Sequence, residues 1–355
     1  MSGDRPSIDT KRGILCVPYL GVTCYKALSG KPGWTGMEEM MGKIAFVFPG
    51  QGAQVVGMGK DVYDHSETAR KIFDTAGEAV GLDLKALCFE ENEDINITEY
   101  TQICLLTTSV AIMEVIRERG LQPDVAAGQS LGEYGALVAV GAMDFADAAR
   151  AVRQRGIFMQ EEVPAGEGGM AAILGMNAEE IDAVIADIED VQCANYNCPG
   201  QIVISGKTEQ VAFAAEKLKE AGARRTVMLN VSGPFHSSLL TGAGEKLEKV
   251  LDELTIRKPQ IPYVANVNAS YITEQEEIKP LLVQQVSNSV RWQQSVETMV
   301  ANGVDTFVEI GPGKTLAGFN KKISKAIGKE LTTYNVSTME EIDALIAAVM
   351  DGADH

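Results

Sequence analysis

The sequence predicts an α/β protein in which a large domain built on a parallel sheet is interrupted by a smaller inserted domain. Three observations carry this. Short apolar strands alternate with helical patterns in both the first and last thirds of the chain, and a compact run of six elements in the middle has its own rhythm. A Gly-x-Ser-x-Gly segment also lies where a strand meets a helix.

The first strand is Lys43 to Phe48 (KIAFVF), an apolar run closed by the turn residues Pro49 and Gly50. Helical patterns follow as far as Gly120, the clearest over Thr101 to Arg119, where apolar residues recur at three and four. Pro123 to Gly128 (PDVAAG) reads as a second strand and Leu131 to Ala142 as a helix rich in small residues. The middle of the chain then gives strand Met170 to Leu174, helix Ala178 to Asp187 and strand Val191 to Tyr196. After the turn Cys198-Pro199-Gly200 come strand Gln201 to Ser205, helix Thr208 to Ala221 and strand Arg224 to Leu229. This is the β-α-β-β-α-β order of ferredoxin-like units. The α/β pattern returns after Ser232-Gly233-Pro234, with strands Pro262 to Val267 and Val304 to Ile310 and helix Thr315 to Ile327.

The expected organisation is therefore a large domain over residues 43–164 and 235–350, with an insertion over 165–234. The cleft between the two is the natural substrate site. Residues 1–42 lack a clear period and are expected to lie outside the core, as an extension or as the product of a start codon chosen too far upstream. Gly13 to Tyr25 is mildly apolar, but Pro18, Gly21 and the nearby Lys26 argue against a secretory segment.

Composition narrows the function. A net charge of −18 repels nucleic acid and anionic membrane surfaces, both of which demand clustered Lys and Arg. No apolar run approaches the roughly 18 residues of a membrane span. The six cysteines contain no CxxC pair and read as reduced thiols of a cytoplasmic protein. Nothing suggests a metal, a cofactor or an obligate assembly, so a monomer is expected.

Within Gly128-Gln129-Ser130-Leu131-Gly132, the serine is the candidate nucleophile. A sharp strand-to-helix turn leaves no room for a Cβ on either side and lifts the hydroxyl clear of the sheet. The helix N-terminus beneath it adds free N–H groups where an oxyanion forms. A serine needs a base, and the chain has only three histidines. His355 is terminal, and His65 lies in Asp64-His65-Ser66-Glu67, whose spacing suits a solvated helix start. His236 follows the return from the inserted unit, where it would face the cleft. It is the candidate base.

Further segments complete one ordered pattern: FPGQGAQ from Phe48, TQ at Thr101, GQSLGEY from Gly128, RG at Arg155, GPFH from Gly233 and VEIGPGKTL from Val308. Together they resemble the malonyl-CoA:acyl carrier protein transacylases of bacterial fatty acid synthesis, from about Met41 to the C-terminus. The resemblance implies an α/β-hydrolase-like large domain carrying a ferredoxin-like insertion. It also implies a ping-pong exchange in which Ser130 takes malonyl from malonyl-CoA and passes it to the phosphopantetheine thiol of holo acyl carrier protein. The CoA thioester is a substrate; no cofactor is implied.

Residue by residue, the resemblance implies an oxyanion hole from the backbone N–H groups of Gln51 and Leu131. It implies that Arg155, in Arg-Gly-x-x-Met-Gln, holds the malonate carboxylate, a task suited to a planar guanidinium. Phe235 fits enzymes that take malonyl rather than methyl-branched units. Gln285 matches a cleft-wall glutamine whose main-chain carbonyl orients the histidine. Two departures stand out: Gln129 where the family often has His, and Ile103 where it usually has Pro.

FPGQG does not read as a phosphate loop, because Met58 rather than Lys-Ser/Thr follows Gly57. Lys314, Lys321, Lys322 and Lys325 recur at helical spacing and offer a local basic face to an acidic carrier or to the CoA phosphates. Three rival readings stay open: a serine hydrolase, an acyltransferase of polyketide synthesis or malonate decarboxylation, and an inactive carrier-binding protein.

Overall fold

The computed structural model describes residues 42–164, 166–231 and 233–350. The expected extension over residues 1–42 falls, apart from Gly42, outside the described residues.

Strand β1 (Lys43–Phe48) is apolar from Ile44 onward because that stretch is buried on both faces. Ile44, Phe46 and Phe48 enter one core while Ala45 and Val47 enter another. That is the pattern of a strand inside a helix-covered parallel sheet. Helices α1 (Lys60–His65), α2 (Glu67–Val80), α3 (Leu84–Phe89) and α4 (Thr98–Glu118) follow, then β2 (Val125–Gly128), α5 (Gly132–Ala139) and α6 (Phe145–Glu161).

Next come β3 (Gly168–Leu174), α7 (Ala178–Ile185), β4 (Val191–Cys198), β5 (Gln201–Lys207), α8 (Thr208–Glu220) and β6 (Arg225–Met228). The chain closes with α9 (Thr241–Asp252), β7 (Tyr263–Val264), β8 (Tyr271–Ile272), α10 (Gln275–Ser287), α11 (Trp292–Ala301), β9 (Val304–Ile310), α12 (Thr315–Ile327), β10 (Thr332–Val336) and α13 (Met339–Met350).

The larger sheet has the order β10-β9-β1-β2-β7-β8. Its strands are parallel except for β8, which pairs antiparallel with β7. The expected parallel sheet is therefore a mixed one, an α/β fold with an antiparallel hairpin at one edge. The carboxyl ends of β1, β2, β7 and β9 open on the same side, the side on which such sheets bind ligands.

The second sheet is antiparallel, with the order β4-β5-β3-β6. Residues of alternating parity split its two faces. Ala171, Ile173, Cys193, Ile202 and Ile204 pack with residues of α7 and α8, including Ile181, Val211 and Leu218. Met170, Ala194 and Val203 turn to the main core. A parallel bridge between Asn195 and Val290 ties this sheet to the segment after α10.

Two expectations change. The strand expected over Pro262 to Val267 shrinks to Tyr263–Val264, because the Asn266 N–H leaves the ladder for the Glu133 carboxylate at 3.2 Å. His65 ends α1 rather than starting a helix, and Ser66, not Asp64, caps α2 by accepting from Ala69 N–H. Asp64 is instead paired with Lys60.

Candidate active site

The turn after β2 holds Ser130 at φ 53°, a left-handed conformation seldom adopted by a residue with a side chain. Its glycine neighbours are required by close approach. A Cβ on Gly128 would lie 1.9 Å from the Gly132 carbonyl carbon, and one on Gly132 would lie 2.1 Å from the Phe48 carbonyl oxygen. A Cβ on Gly50 would meet the Gln129 carbonyl oxygen at 2.6 Å, so the loop after β1 lies directly on the serine turn.

Ser130 Oγ is 2.7 Å from His236 Nε2, and His236 Nδ1 is 2.8 Å from the main-chain carbonyl of Gln285. A carbonyl only accepts, so Nδ1 carries the proton and Nε2 is left as the acceptor for the serine hydroxyl. Burial pushes the His236 pKa down to about 4, the Arg155 charge acts in the same direction, and hydrogen bonds to the Gln285 and Asn288 backbone oppose them. The imidazole is neutral at physiological pH, as a base must be.

Arg155 lies on the buried stripe of α6, with Ala148, Val152 and Met159 at spacings of four and three. It is 1% exposed. Gly156 beside it lets α6 approach α4 closely, since a Cβ there would lie 2.8 Å from Glu99 Cα. Nη1 donates to Gln102 Oε1 at 2.6 Å, and Nη2 donates to Gln285 Oε1 at 2.9 Å and to Ser130 Oγ at 3.1 Å. All three partners are neutral, and Nε has no partner among the described residues. Burial lowers the Arg155 pKa, with Tyr134 and Glu133 opposing. The neighbouring arginines differ: Arg150 pairs with Asp147, and Arg153 pairs with Glu99.

Ser130 and His236 face a cavity of about 200 Å³ between the two sheets, lined also by Gln51, Leu131, Phe235 and Thr315 among others, while Arg155 and Gln285 lie buried behind them. Leu131 N–H and Gln51 N–H meet no acceptor among the described residues. Gln129 Nε2 donates across the cleft to Asn197 Oδ1 at 2.7 Å. A larger hollow of about 460 Å³ near Gly175 and Tyr196 has no such pair; the Cys198 thiol that lines it is buried and its pKa is raised by burial.

The structure thus brings together Ser130, His236, Arg155, Gln285, Phe235, Gln51 and Leu131. Lys314 precedes α12, and Lys321, Lys322 and Lys325 lie along it. All four are exposed, with Lys322 Nζ bonded to Gln201 Oε1 at 2.9 Å. They line no part of the cavity, although Thr315 and Phe319 of the same helix do. Glu309 fixes that helix by accepting from Leu316 N–H at 3.0 Å and Ala317 N–H at 2.9 Å.

Sequence reasoning assigned no role to Glu133, Asn266, Gln102 or Asn197. Glu133 and Gln102 lie inside the motifs quoted above, and their burial is the signal that was missing. Asn266 has no local signal. Among the described residues, no cluster of three or more metal-ligating side chains occurs, and no helix is long and apolar enough to cross a membrane.

A serine on a strand-to-helix turn, paired with a neutral histidine in a cleft beside a buried cation, defines an acyl-transferring enzyme, and the acyl transferase domain family matches residues 45–339. The malonyl CoA-acyl carrier protein transacylase of Bacillus subtilis (strain 168) is 48% identical over 320 residues, covering 89% of this chain and 100% of that one. The crystal structure of the Clostridium perfringens transacylase of that name matches with a TM-score of 0.83 and 42% identity, over 87% of this chain and 98% of the other. A malonyl-transacylase in complex with its holo type II PKS acyl-carrier protein matches with a TM-score of 0.82 and 39% identity, over 87% and 99%. The chain belongs to the malonyl CoA-acyl carrier protein transacylase family.

Proposed function

We propose that this acyltransferase moves a malonyl group from malonyl-CoA to the phosphopantetheine thiol of holo acyl carrier protein, through a malonyl ester on Ser130. Ser130 Oγ attacks the thioester carbonyl as its proton passes to His236 Nε2. The tetrahedral oxyanion is received by the N–H groups of Leu131 and Gln51, each worth about 10²- to 10³-fold in rate. The C–S bond then breaks and CoA leaves as the thiol with the proton from His236. In the second half the carrier thiol attacks the ester, His236 takes its proton and returns it to Ser130 Oγ. The steps balance without a cofactor or metal.

The observation that carries this reading is Arg155, a buried guanidinium with neutral partners 3.1 Å from Ser130 Oγ. A buried cation with no directly bonded carboxylate is costly, and an acyl group bearing a free carboxylate supplies one. A simple ester hydrolase has no use for that charge. Phe235 borders the cavity where an α-methyl branch would crowd it, and the Gln285 carbonyl replaces an aspartate in orienting His236. The exposed lysines of α12 suit an acidic carrier.

We assign the larger sheet and its helices, residues 43–164 and 235–350, to an α/β-hydrolase-like domain, and residues 165–234 to a ferredoxin-like insertion, supported by the β4-β5-β3-β6 order. We further infer a cytoplasmic monomer that supplies fatty acid synthesis.

The test is to incubate the protein with malonyl-CoA and read its intact mass, then add holo carrier or water alone. A malonyl adduct absent in Ser130→Ala and discharged only by the carrier is expected. Rapid discharge to water without carrier dependence would overturn the transferase reading.

A further inference from the structure

A side-chain residue held at φ 53° is strained in its backbone and persists only where its surroundings over-determine it. For Ser130 the determining residue is Asn266, just beyond β7. Its Oδ1 accepts the Ser130 N–H at 2.6 Å, and its Nδ2 donates to the Gly128 carbonyl at 2.6 Å. One amide therefore spans the turn from the last residue of β2 to the serine.

Asn266 is itself held on both sides. Its N–H donates to Glu133 Oε2 at 3.2 Å, and its carbonyl accepts from Arg291 N–H at 3.0 Å. The same Glu133 oxygen accepts from Gln285 Nε2 at 2.7 Å, and that nitrogen also donates to the Ser130 carbonyl at 2.9 Å. Both peptide groups of the serine are thus gripped by side chains, one from just beyond the neighbouring strand β7 and one from α10. Asn266 is 1% exposed, and its side chain bonds only to the backbone on either side of the turn.

We propose that Asn266 is a positioning residue for acyl transfer: it holds Ser130 in the conformation that presents Oγ to His236. It also turns the serine's own N–H away from the cleft, so that Leu131 and Gln51 supply the oxyanion donors. The inference rests on Ser130 being the acyl carrier. Asn266 touches neither substrate nor the reacting atoms, so its effect falls on the rate of the step and leaves binding alone.

The experiment is single-turnover acylation by malonyl-CoA, read by intact mass, in the wild type, Asn266→Ala and Asn266→Asp. Asn266→Ala should acylate about 100-fold more slowly, with KM for malonyl-CoA within about threefold of the wild type. Asn266→Asp keeps the volume and the acceptor but, once ionised, has no donor for the Gly128 carbonyl. Protonation restores an O–H donor. Its acylation rate should therefore rise as pH is lowered from about 7.5 to about 5, opposite in sign to loss of a base. A folded Asn266→Ala that acylates at the wild-type rate overturns the inference. So does an Asn266→Asp profile parallel to that of the wild type. A wild type that forms no Ser130-dependent adduct refutes the acyl-serine reading itself, and this inference with it.

Discussion

The main-chain carbonyl of Gln285 holds Nδ1 of His236 at 2.8 Å, so a neutral dipole stands where many serine enzymes place a carboxylate. The imidazole consequently gains no counter-charge on protonation, and burial with the Arg155 charge holds its pKa near about 4.

The acid limb of kcat/KM for acylation should lie near pH 4, well below the ordinary histidine value of about 6.5. Activity should be level between about pH 5.5 and 7.5. A limb near 6.5 in a pre-steady-state profile would show that the imidazole is not held neutral by its surroundings.

Arg155 is predicted to discriminate between acyl groups. Arg155→Ala should lower malonyl transfer by about 100-fold, the worth of a charge-assisted pair of about 3 kcal/mol. Transfer from acetyl-CoA should fall much less. Arg155→Lys should not restore malonyl transfer, because an ammonium lacks the planar fork. Equal losses for both substrates in parallel kinetic assays would assign Arg155 a structural role.

Stability should respond to pH through two opposed groups. Burial raises the Glu133 pKa from 4.5 to about 7, so the folded state binds the extra proton and stability falls as pH rises through that window. The His236 pKa falls from 6.5 to about 4, so the unfolded state binds the extra proton and stability falls as pH drops from 6.5 towards 4. Each is worth about 3 kcal/mol, and over pH 4.5–6.5 they largely cancel. Glu133→Gln keeps an oxygen for Asn266 and Gln285 and removes one slope. Urea unfolding of that variant should show stability rising with pH across the interval more steeply than in the wild type.

Two glycines separate close approach from conformation. Gly132→Ala forces a Cβ to within 2.1 Å of the Phe48 carbonyl oxygen, where backbone cannot yield cheaply. A loss of about 3 kcal/mol or more is expected. Gly52→Ala, with φ 105° and nothing within 4 Å, carries only backbone strain of about 1–2 kcal/mol. Equal denaturation midpoints for the two variants would contradict the packing described around the serine turn.

Charge reversal on α12, Lys321→Glu with Lys325→Glu, should raise KM for the carrier about tenfold and leave acylation by malonyl-CoA unchanged. The carrier step of the wild type should also weaken with salt. An unaltered carrier KM would move the docking surface elsewhere.

Features that depend on local pattern are legible in the residues alone. Strand Lys43–Phe48 and helix Thr315–Ile327 appear with the bounds read from their periodicity, and the six elements between Gly168 and Met228 follow in the expected order. The serine turn was legible too, because the steric demand for glycine on both sides acts over a few residues. The family motifs alone named Arg155; its place on the buried stripe of α6 emerged only in the fold.

Which polar groups meet depends on how distant parts of the chain pack. Gln285 reaches the Ser130 carbonyl across 155 positions of chain, and Asn266 reaches Gly128 across 138. Hydrophobic period says which face of an element is buried, but not which side chain lies opposite it after sheets and helices pack. That is why Asn266 passed as one more strand residue, why β7 is short, and why the edge hairpin with β8 was unforeseen. A buried amide or carboxylate finds its partners by packing, and packing is a property of the whole chain.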